Sequence, residues 1–347
     1  MKRNTTAATT TLDPPKEAVH PGRTATTAAF ASRKKLKPRT LIALGILAAL
    51  LLAALGVVWV LFRQDMADAR ARLRGQPTQL FKSRYGEIQY QVVGSGPTVL
   101  VSHGITGGVD QAESLVTQWR VLPDEYRFIY VSRFGYLESS VPEGASSTLQ
   151  AAAYRELLDH LGIDRVFIAG NSAGGPSAMW FAIQYPERTN GLILVSSAVP
   201  GPEPDYIPNL VAENDFIYWA AVKSSPDKLL EMFLPKSIIA TMTDEQKDFA
   251  VKNAFVASMP ISQRTDGILF DNRETLPKVN NIPFEQILVP TLIFQAVDDP
   301  REYQGGQEMA RRIPTCHFVG LTGGHLLLTH DSEVRAAIHD FIGKAPE

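Results

Sequence analysis

The chain has 347 residues, with 34 Lys and Arg against 36 Asp and Glu, a formal net charge of −2 and 45% hydrophobic residues. The hydrophobic share excludes a wholly disordered chain, and the balanced charge argues against the concentrated basic face of a nucleic-acid-binding protein. The single cysteine, Cys316, excludes an intramolecular disulfide framework and a multi-cysteine zinc site.

The N-terminal region differs in composition from the rest of the chain. Residues 1–40 are rich in Thr, Ala, Pro and basic side chains and have almost no periodic apolar pattern, so we expect a disordered basic tail. Residues 41–62 contain no charged, amide or hydroxyl side chain. At about 1.5 Å per residue, a helix of this length crosses the hydrocarbon core of a bilayer. We therefore predict a single transmembrane helix here rather than a cleaved signal peptide.

The charges that flank this run predict its orientation. Basic residues crowd the N-terminal side, whereas only Arg63 and Arg70 lie equally close on the other side. This asymmetry places the N-terminus in the cytoplasm and the rest of the protein across the membrane. We expect residues 63–77 to be a linker and residues 78–347 to form a globular domain.

Within residues 78–347, short apolar runs alternate with helix-like segments. The runs are typical of buried parallel strands and lie at 98–102, 128–132, 166–169, 192–196 and 291–295. The helix-like segments lie at 149–161, 172–184, 303–312 and 332–342. This alternation predicts an α/β fold with a mostly parallel central sheet.

The alternation is interrupted between about residues 198 and 286. Helical patterns at 207–222, 226–233 and 244–257 replace the strands, and the segment is too long for a connecting loop. We therefore predict an inserted helical cap. Its aromatic residues are expected to lie mostly in the core of the cap: Phe216, Tyr218, Trp219, Phe233 and Phe255.

A candidate nucleophile lies where the third of these strands meets a helix. Residues 166–175 have the sequence VFIAGNSAGG, which places a G-x-S-x-G pattern between a strand and a helix. A tight turn of this kind holds Ser172 at a helix N-terminus, where the helix dipole favours developing negative charge. The pattern predicts a nucleophile elbow with Ser172 as the nucleophile.

A serine nucleophile needs a base, and the base needs an orienting acid. His325 lies in a loop after the last strand, where an α/β sheet displays its catalytic groups, and His330 is the second candidate base. For the acid, the strand at 291–295 runs into two adjacent carboxylates. We favour Asp299 over Asp298 and expect the other one to cap the helix that starts near Pro300.

The oxyanion of an acyl-transfer reaction needs preorganised N–H donors. We predict the amide of Ala173, directly after the nucleophile, and the amide of Ile105, in the loop that follows the strand at 98–102. His103 is expected to brace this loop. No metal-ligand spacing is present in the sequence, so we expect no metal site.

From about residue 80 to its end, the chain resembles the α/β-hydrolase superfamily of the type with a helical cap. The motifs that carry the resemblance are His103-Gly104, Arg133-Phe134-Gly135-Tyr136, Gly170–Gly175, Asp298-Asp299 and Gly323-Gly324-His325. The resemblance implies Ser172 as nucleophile, His325 as general base and then acid, and Asp299 as the orienting acid. It also implies an oxyanion hole formed by the amides of Ile105 and Ala173, and no cofactor.

Two departures narrow the activity that the resemblance implies. Dehalogenases and epoxide hydrolases of the superfamily carry Asp where this chain has Ser172, which argues against both. The Gly-Asn-Ser-x-Gly-Gly elbow is similar to that of meta-cleavage C–C bond hydrolases, but these carry Trp after the catalytic His where this chain has Leu326.

The leading hypothesis is a membrane-anchored serine hydrolase that cleaves a carboxylic ester of a small-molecule or lipid-like substrate. C–C bond hydrolysis, amide hydrolysis and acyl transfer use the same residues and stay open. A non-catalytic hydrolase-like binding domain is the alternative from another class. The expected partners are the substrate and the lipid bilayer around residues 41–62, with no nucleic acid.

Overall fold

The computed structural model describes residues 37–202 and 207–344. The chain divides into two compact units, residues 1–56 and residues 57–347. Most of the predicted basic tail, residues 1–36, lies outside the described residues. The first described element is helix α1, Pro38–Arg74, which contains the whole apolar run. By length and composition this is the one helix in the described part of the chain that could cross a membrane, and its apolar window is not buried.

The second unit is built on an eight-stranded sheet with the strand order β1-β2-β4-β3-β5-β6-β7-β8. The pairings of β2 with β1 and with β4 are antiparallel, and all the others are parallel, which confirms the predicted mostly parallel sheet. The strands are β1 Gln79–Ser83, β2 Gly86–Val93, β3 Thr98–Ser102, β4 Arg127–Val131, β5 Val166–Asn171, β6 Thr189–Val195, β7 Thr291–Ala296 and β8 Cys316–Leu321.

Helices cover both faces of this sheet, because alternate side chains of each buried strand point to opposite faces. In β5, Val166 and Ile168 join one apolar cluster and Phe167 and Ala169 join the other. The first cluster packs under α3 Ser147–Leu161, α4 Gly175–Gln184 and α11 Pro300–Arg312. The second packs under α2 Val109–Thr117 and α12 Asp331–Gly343.

The helical cap lies between β6 and β7, as the sequence predicts. Its described helices are α5 Asn209–Ala212, α6 Asp215–Ser224, α7 Pro226–Leu230, α8 Lys236–Ile239, α9 Asp244–Val251 and α10 Thr265–Phe270. Both α9 and α10 continue into a π-helical turn, over Lys252–Val256 and Asp271–Thr275 respectively. The cap has an apolar cluster of its own, distinct from the two clusters of the sheet. Residues 203–206 of the predicted cap lie outside the described ranges.

The segment predicted as a linker differs from that expectation, because α1 remains helical as far as Arg74. Phe62, Met66 and Ala69 recur at helical spacing and form a buried apolar stripe. They belong to the apolar cluster of the cap, where the Phe62 ring lies 5.6 Å from that of Trp219. The Trp219 indole donates a hydrogen bond of 2.7 Å to Asp65. Residues 62–74 are therefore part of the packed second unit.

Candidate active site

The predicted nucleophile elbow forms at the end of β5. Ser172 has a φ of 50°, in the left-handed region that side chains other than glycine rarely adopt. A single 3₁₀ turn, Ser172–Gly174, then leads into α4. The carbonyl of Ser172 accepts a hydrogen bond of 2.9 Å from the amide of Ala198, in the loop after β6. The surrounding strands thus hold a strained backbone that presents the serine above the sheet.

Glycine is required on the helix side of the elbow because other chain segments approach its backbone closely. A Cβ at Gly174 would collide with the backbone carbonyl of Ser102, and one at Gly175 would collide with the side chain of Ser197. The last glycine of the G-x-S-x-G pattern and the glycine after it therefore indicate close packing at the start of α4 as well as a tight turn.

The structure brings His325 to Ser172, with 3.0 Å between Nε2 and the serine Oγ. His325 lies in a short 3₁₀ turn after β8, and its own amide donates a hydrogen bond of 2.8 Å to the carbonyl of Phe233 in the cap. The other candidate base, His330, instead contacts Thr322 and Glu333 at 2.9 Å each. Of the two candidates, His325 is therefore the histidine that contacts the predicted nucleophile, Ser172.

The carboxylate on the far side of His325 is Glu302, which corrects the prediction of Asp299. Glu302 Oε1 contacts His325 Nδ1, and the Glu302 side chain is 8% exposed. The carboxylate of Asp299 instead caps α11, where it accepts hydrogen bonds from the amides of Arg301 and Glu302 at 3.0 and 3.1 Å. Both amides bind Asp299 Oδ1, and the carboxylate that accepts the hydrogen bond of His325 Nδ1 is that of Glu302 instead.

Glu302 was missed although the sequence contains a signal for it. Asp299-Pro300-Arg301-Glu302 places a capping residue, a proline and a glutamate at the first positions of a helix, a common arrangement at helix N-termini. This pattern predicts that Asp299 caps the helix and that Glu302 lies one turn further, facing back toward its start. In this structure the glutamate turns to His325.

Asp298, the second candidate acid, supports the loop that carries the histidine. Its two carboxylate oxygens accept hydrogen bonds from the amides of Gly323 and Gly324, at 2.8 and 3.0 Å. Gly323 has a φ of 97° and Gly324 a φ of 59°, so a turn of left-handed residues precedes His325. Asp298 thus fixes the backbone of this turn without touching the imidazole.

The electrostatics of the site suit a general base. Burial alone would lower the pKa of His325, but the neighbouring Glu302 carboxylate outweighs this effect and, with a smaller contribution from Asp299, raises the pKa above its ordinary value. Arg301 acts in the opposite direction. Since Nδ1 faces a carboxylate, the neutral imidazole carries its proton there and leaves Nε2 free to accept one from Ser172.

The predicted oxyanion donors belong to residues that line the same cavity as Ser172. Ile105 lies in the oxyanion loop, which we define as residues 103–110, and Ala173 directly follows the nucleophile. His103 braces this loop as predicted, because its Nε2 accepts a hydrogen bond of 2.9 Å from the amide of Arg133. Burial and the Arg133 charge keep the pKa of His103 well below its ordinary value, so the ring is neutral.

A buried ion pair holds the oxyanion loop from the side of the sheet. Arg133 donates to the carbonyls of His103 and Gly104 at 2.7 and 3.2 Å, and its guanidinium pairs with Asp271 of the cap at 2.5 Å. Both side chains of the pair are at most 1% exposed. Tyr136 adds a hydrogen bond of 2.5 Å to the same carboxylate. The loop is therefore tied both to the sheet and to the cap.

The cavity above the nucleophile is small, about 200 Å³. Its walls come from the elbow, the loop after β6, the cap and the start of α11, and they are mostly apolar. A second cavity, of about 70 Å³, extends to Trp119 and Asn253. Ser172 and His325 line both cavities. Two cavities therefore meet at the predicted nucleophile.

The comparison with protein families agrees with this architecture. The model of the alpha/beta hydrolase fold family matches residues 97–331, more than half of the chain. The chain therefore belongs to the α/β hydrolase fold family, and its family and relatives identify it as a hydrolytic enzyme.

Individual relatives differ in how much of the chain they cover. A 2-hydroxy-6-oxononadienedioate/2-hydroxy-6-oxononatrienedioate hydrolase of Paraburkholderia phymatum is 26% identical over 74% of this chain and 91% of its own length. An uncharacterised hydrolase of Bacillus subtilis, YcgS, is 38% identical, but the match spans 32% of this chain and only 38% of that protein. The solved structure of a thermophilic esterase from Thermogutta terrifontis has a TM-score of 0.56 at 22% identity and covers 78% of this chain and 99% of its own, which shows a shared fold.

Proposed function

We propose that this protein is a serine hydrolase that cleaves small carboxylic esters, with Ser172 as nucleophile, His325 as base and Glu302 as the orienting acid. One observation carries the proposal: the three side chains form a continuous relay from the Ser172 hydroxyl through His325 to the Glu302 carboxylate. A serine, a base and an acid in this arrangement are the constellation that activates a hydroxyl for acyl transfer. Glu302 takes the role that the sequence assigned to Asp299.

The reaction follows from these contacts. Ser172 Oγ attacks the carbonyl carbon of the ester while its proton passes to His325 Nε2, and the Glu302 carboxylate stabilises the imidazolium that forms. The amides of Ile105 and Ala173 stabilise the tetrahedral oxyanion. When the intermediate collapses, the alcohol leaves with the proton from Nε2, and Ser172 retains the acyl group. Water then attacks this acyl-enzyme by the same steps and releases the carboxylic acid.

The size of the cavities favours small substrates within the ester class. Pockets for drug-sized ligands are typically about 300–1,000 Å³, whereas the main cavity here is about 200 Å³ and the second about 70 Å³. We therefore expect short acyl groups and small alcohols to react faster than long-chain lipid esters.

Hydrolysis of a C–C bond is the second candidate activity. The relative from Paraburkholderia phymatum is named as a hydrolase of oxo-dienedioate substrates and aligns over 74% of this chain. The residues of the elbow, Gly170 to Gly175, also resemble those of C–C bond hydrolases. Leu326 after the histidine departs from that pattern, so the ester is our first choice of substrate.

We also propose that α1 anchors the enzyme in a membrane, with the N-terminus in the cytoplasm and the catalytic unit on the opposite side. The segment in the bilayer is then residues 41–61 of the predicted 41–62, because Phe62 packs in the cap. The uncharged apolar run and the basic residues before it support this arrangement. Two experiments test the anchoring and the orientation. The full chain should resist extraction by alkaline carbonate, and residues 78–347 should be protected from protease added on the cytoplasmic side. Extraction into the soluble fraction, or digestion from the cytoplasmic side, would contradict them.

The activity itself is tested with the full chain in detergent on acetyl, butyryl and dodecanoyl esters of one chromogenic alcohol, with a vinylogous 1,5-diketone as the C–C substrate. We expect the acetyl ester to react fastest, and Ser172→Ala to lower kcat by about 10⁴-fold or more. Ser114→Ala, a serine of α2 outside both cavities, is the matched control and should retain full activity. Equal rates for Ser172→Ala and wild type would overturn the proposal, and a preference for the diketone would select the second candidate.

A further inference from the structure

A second buried arginine reaches the oxyanion loop from the cap. Arg264 is fully buried, and its two terminal nitrogens pair with the Asp110 carboxylate at 3.0 and 2.6 Å. One of these nitrogens also donates to the carbonyl of Gly107. Gly107 and Asp110 are the residues through which the oxyanion loop enters α2. The cap thus holds the loop at the end opposite to His103.

The remaining donors of Arg264 bind the cap itself. Its Nε donates to the carbonyl of Ser258 at 2.9 Å, and Nη2 donates to that of Ala257 at 3.2 Å. A guanidinium has five N–H donors, and these contacts use all of them. A further hydrogen bond of 3.0 Å joins the hydroxyls of Thr106 and Ser258. Residues 257–259 are therefore linked to the oxyanion loop by two side chains.

The last turn of helix α1 contacts the same segment. Arg72 Nη2 donates to the carbonyls of Ala257 and Met259, at 2.6 and 2.9 Å. The Ala257 carbonyl consequently accepts from both Arg72 and Arg264. A chain of contacts therefore runs from the last turns of α1 through residues 257–259 to the loop that carries Ile105.

We propose that Arg72 and Arg264 are positioning residues of the hydrolase, which hold the amide of Ile105 where the oxyanion develops. This proposal rests on the function proposed above. It makes the end of α1 a working part of the catalytic unit, in addition to any role in anchoring. A planar guanidinium fork that bridges several carbonyls and a carboxylate at once cannot be reproduced by lysine. A small displacement of a preorganised donor weakens oxyanion stabilisation, because the donor must already point at the charge when it forms.

The decisive comparison is between two arginines on one helix, in the full chain in detergent. Arg72→Met removes the contacts to residues 257–259. Arg70→Met removes an exposed ion pair with Asp215, 3.4 Å long, and serves as the matched control. Loss of one oxyanion donor typically costs about 10²–10³-fold in kcat, so a displaced donor should cost about tenfold. We expect Arg72→Met to lower kcat about tenfold with KM within about twofold, and Arg70→Met to change neither.

Arg264→Lys should have the larger effect, about 100-fold on kcat, because it loses most of the fork. A trifluoromethyl ketone forms an oxyanion on Ser172. If the arginines position the oxyanion donor, the inhibition constant of the ketone should rise by about the same factor as kcat falls. If they have only a structural role, this inhibition constant should stay as in wild type. If Arg264→Lys does not fold, Arg72→Met decides alone. A loss in Arg72→Met no greater than that in Arg70→Met, or a loss confined to KM, would overturn the proposal.

Hydrogen exchange separates this proposal from the proposed function. In a Ser172→Ala background, which has no triad nucleophile, we expect the amides of residues 104–109 to exchange at least tenfold faster in Arg72→Met than in Arg70→Met. If exchange is faster but the wild-type chain shows no Ser172-dependent hydrolysis, the proposed function is refuted and the positioning of the loop by Arg72 is retained. Unchanged exchange with an active parent would refute the positioning alone.

Discussion

The two loops that flank Ser172 are held in place in different ways. The oxyanion loop is held by two buried arginines, Arg133 from the sheet and Arg264 from the cap, each paired with an aspartate. The turn that carries His325 is held by carboxylates from a single short segment, residues 298–302, and by the Phe233 carbonyl of the cap. The charged groups that hold the oxyanion loop thus come from two segments far apart in the sequence, whereas those that hold the turn of His325 all come from one helix start.

Because of this difference, we expect substitutions around the turn of His325 and around the oxyanion loop to have different effects. Three carboxylates within five residues have three separate tasks: Asp298 fixes the turn, Asp299 caps α11 and Glu302 contacts the imidazole. Their effects should therefore separate in single variants. On the oxyanion side, each arginine is buried and binds several carbonyls, so loss of its partner should affect folding as well as catalysis.

The largest expected effect on the histidine side is that of Glu302→Gln. The variant keeps the shape of the side chain but removes the charge that stabilises the imidazolium and selects the tautomer, so kcat should fall by about 10³–10⁴-fold. The acid limb of the pH profile of kcat/KM should also move to lower pH, because the carboxylate that raises the pKa of His325 is gone. Steady-state kinetics on a short-chain ester between pH 5 and 9 measure both effects.

Glu333→Gln is the control for this variant, since Glu333 contacts His330 on the protein surface. It should leave kcat and the pH profile as in wild type. If Glu302→Gln retains most of its activity while Asp299→Asn loses it, the structural assignment of the acid fails and the prediction from the sequence is restored.

On the oxyanion side, Asp271→Asn should cost the most stability. It leaves the Arg133 charge buried without its carboxylate, and breaking a buried pair typically costs about 3–5 kcal/mol. Thermal unfolding followed by circular dichroism should show a clear decrease in the melting temperature. Asp159→Asn is the control, because Asp159 is 45% exposed in its pairs with Arg155 and Arg188 and should change stability by less than about 1 kcal/mol. Equal melting temperatures for the two variants would contradict the importance of the buried pair.

The contrast between the loops also explains what could be predicted from the sequence. Ser172 and His325 could be predicted as partners because each lies in a local pattern, a strand–turn–helix and a glycine-rich turn after the last strand. The acid was missed because the choice among Asp298, Asp299 and Glu302 depends on where α11 begins. With Asp299 as the N-cap of α11, Glu302 lies in the first turn of the helix and contacts the imidazole.

The two buried ion pairs that hold the oxyanion loop could not be predicted from the sequence, for a different physical reason. The partners of Arg133 and Arg264 lie more than a hundred residues away, and no periodicity connects them. The predicted linker is helical as far as Arg74, because the helix continues beyond the apolar run on which the prediction rests. The stripe of Phe62, Met66 and Ala69 at helical spacing was the available signal that the helix continues and packs.

A smaller effect on the histidine side is expected from Asp298→Ala. The variant leaves the amides of Gly323 and Gly324 without their charged acceptor, which should cost about 1–3 kcal/mol of stability. Because the turn before His325 loosens, kcat should also fall about tenfold, far less than in Glu302→Gln. Melting temperature and kcat measured on one preparation test this ranking. A loss of kcat as large as that of Glu302→Gln would show that the two carboxylates do not have separate tasks.

The smallest expected effect is that of Asp299→Asn, and it tests the separation of tasks most finely. Asparagine caps helices about as well as aspartate, so stability and the plateau value of kcat should stay close to wild type. The Asp299 charge helps to raise the pKa of His325, so its removal lowers that pKa, and the neutral base becomes available at lower pH. The acid limb of kcat/KM should move in the same direction as in Glu302→Gln, but by less. Asp299→Ala should show the same movement together with a loss of about 0.5–2 kcal/mol from the missing cap. A collapse of kcat in the asparagine variant would instead place Asp299 on the imidazole during catalysis, so that the helix start must rearrange when substrate binds.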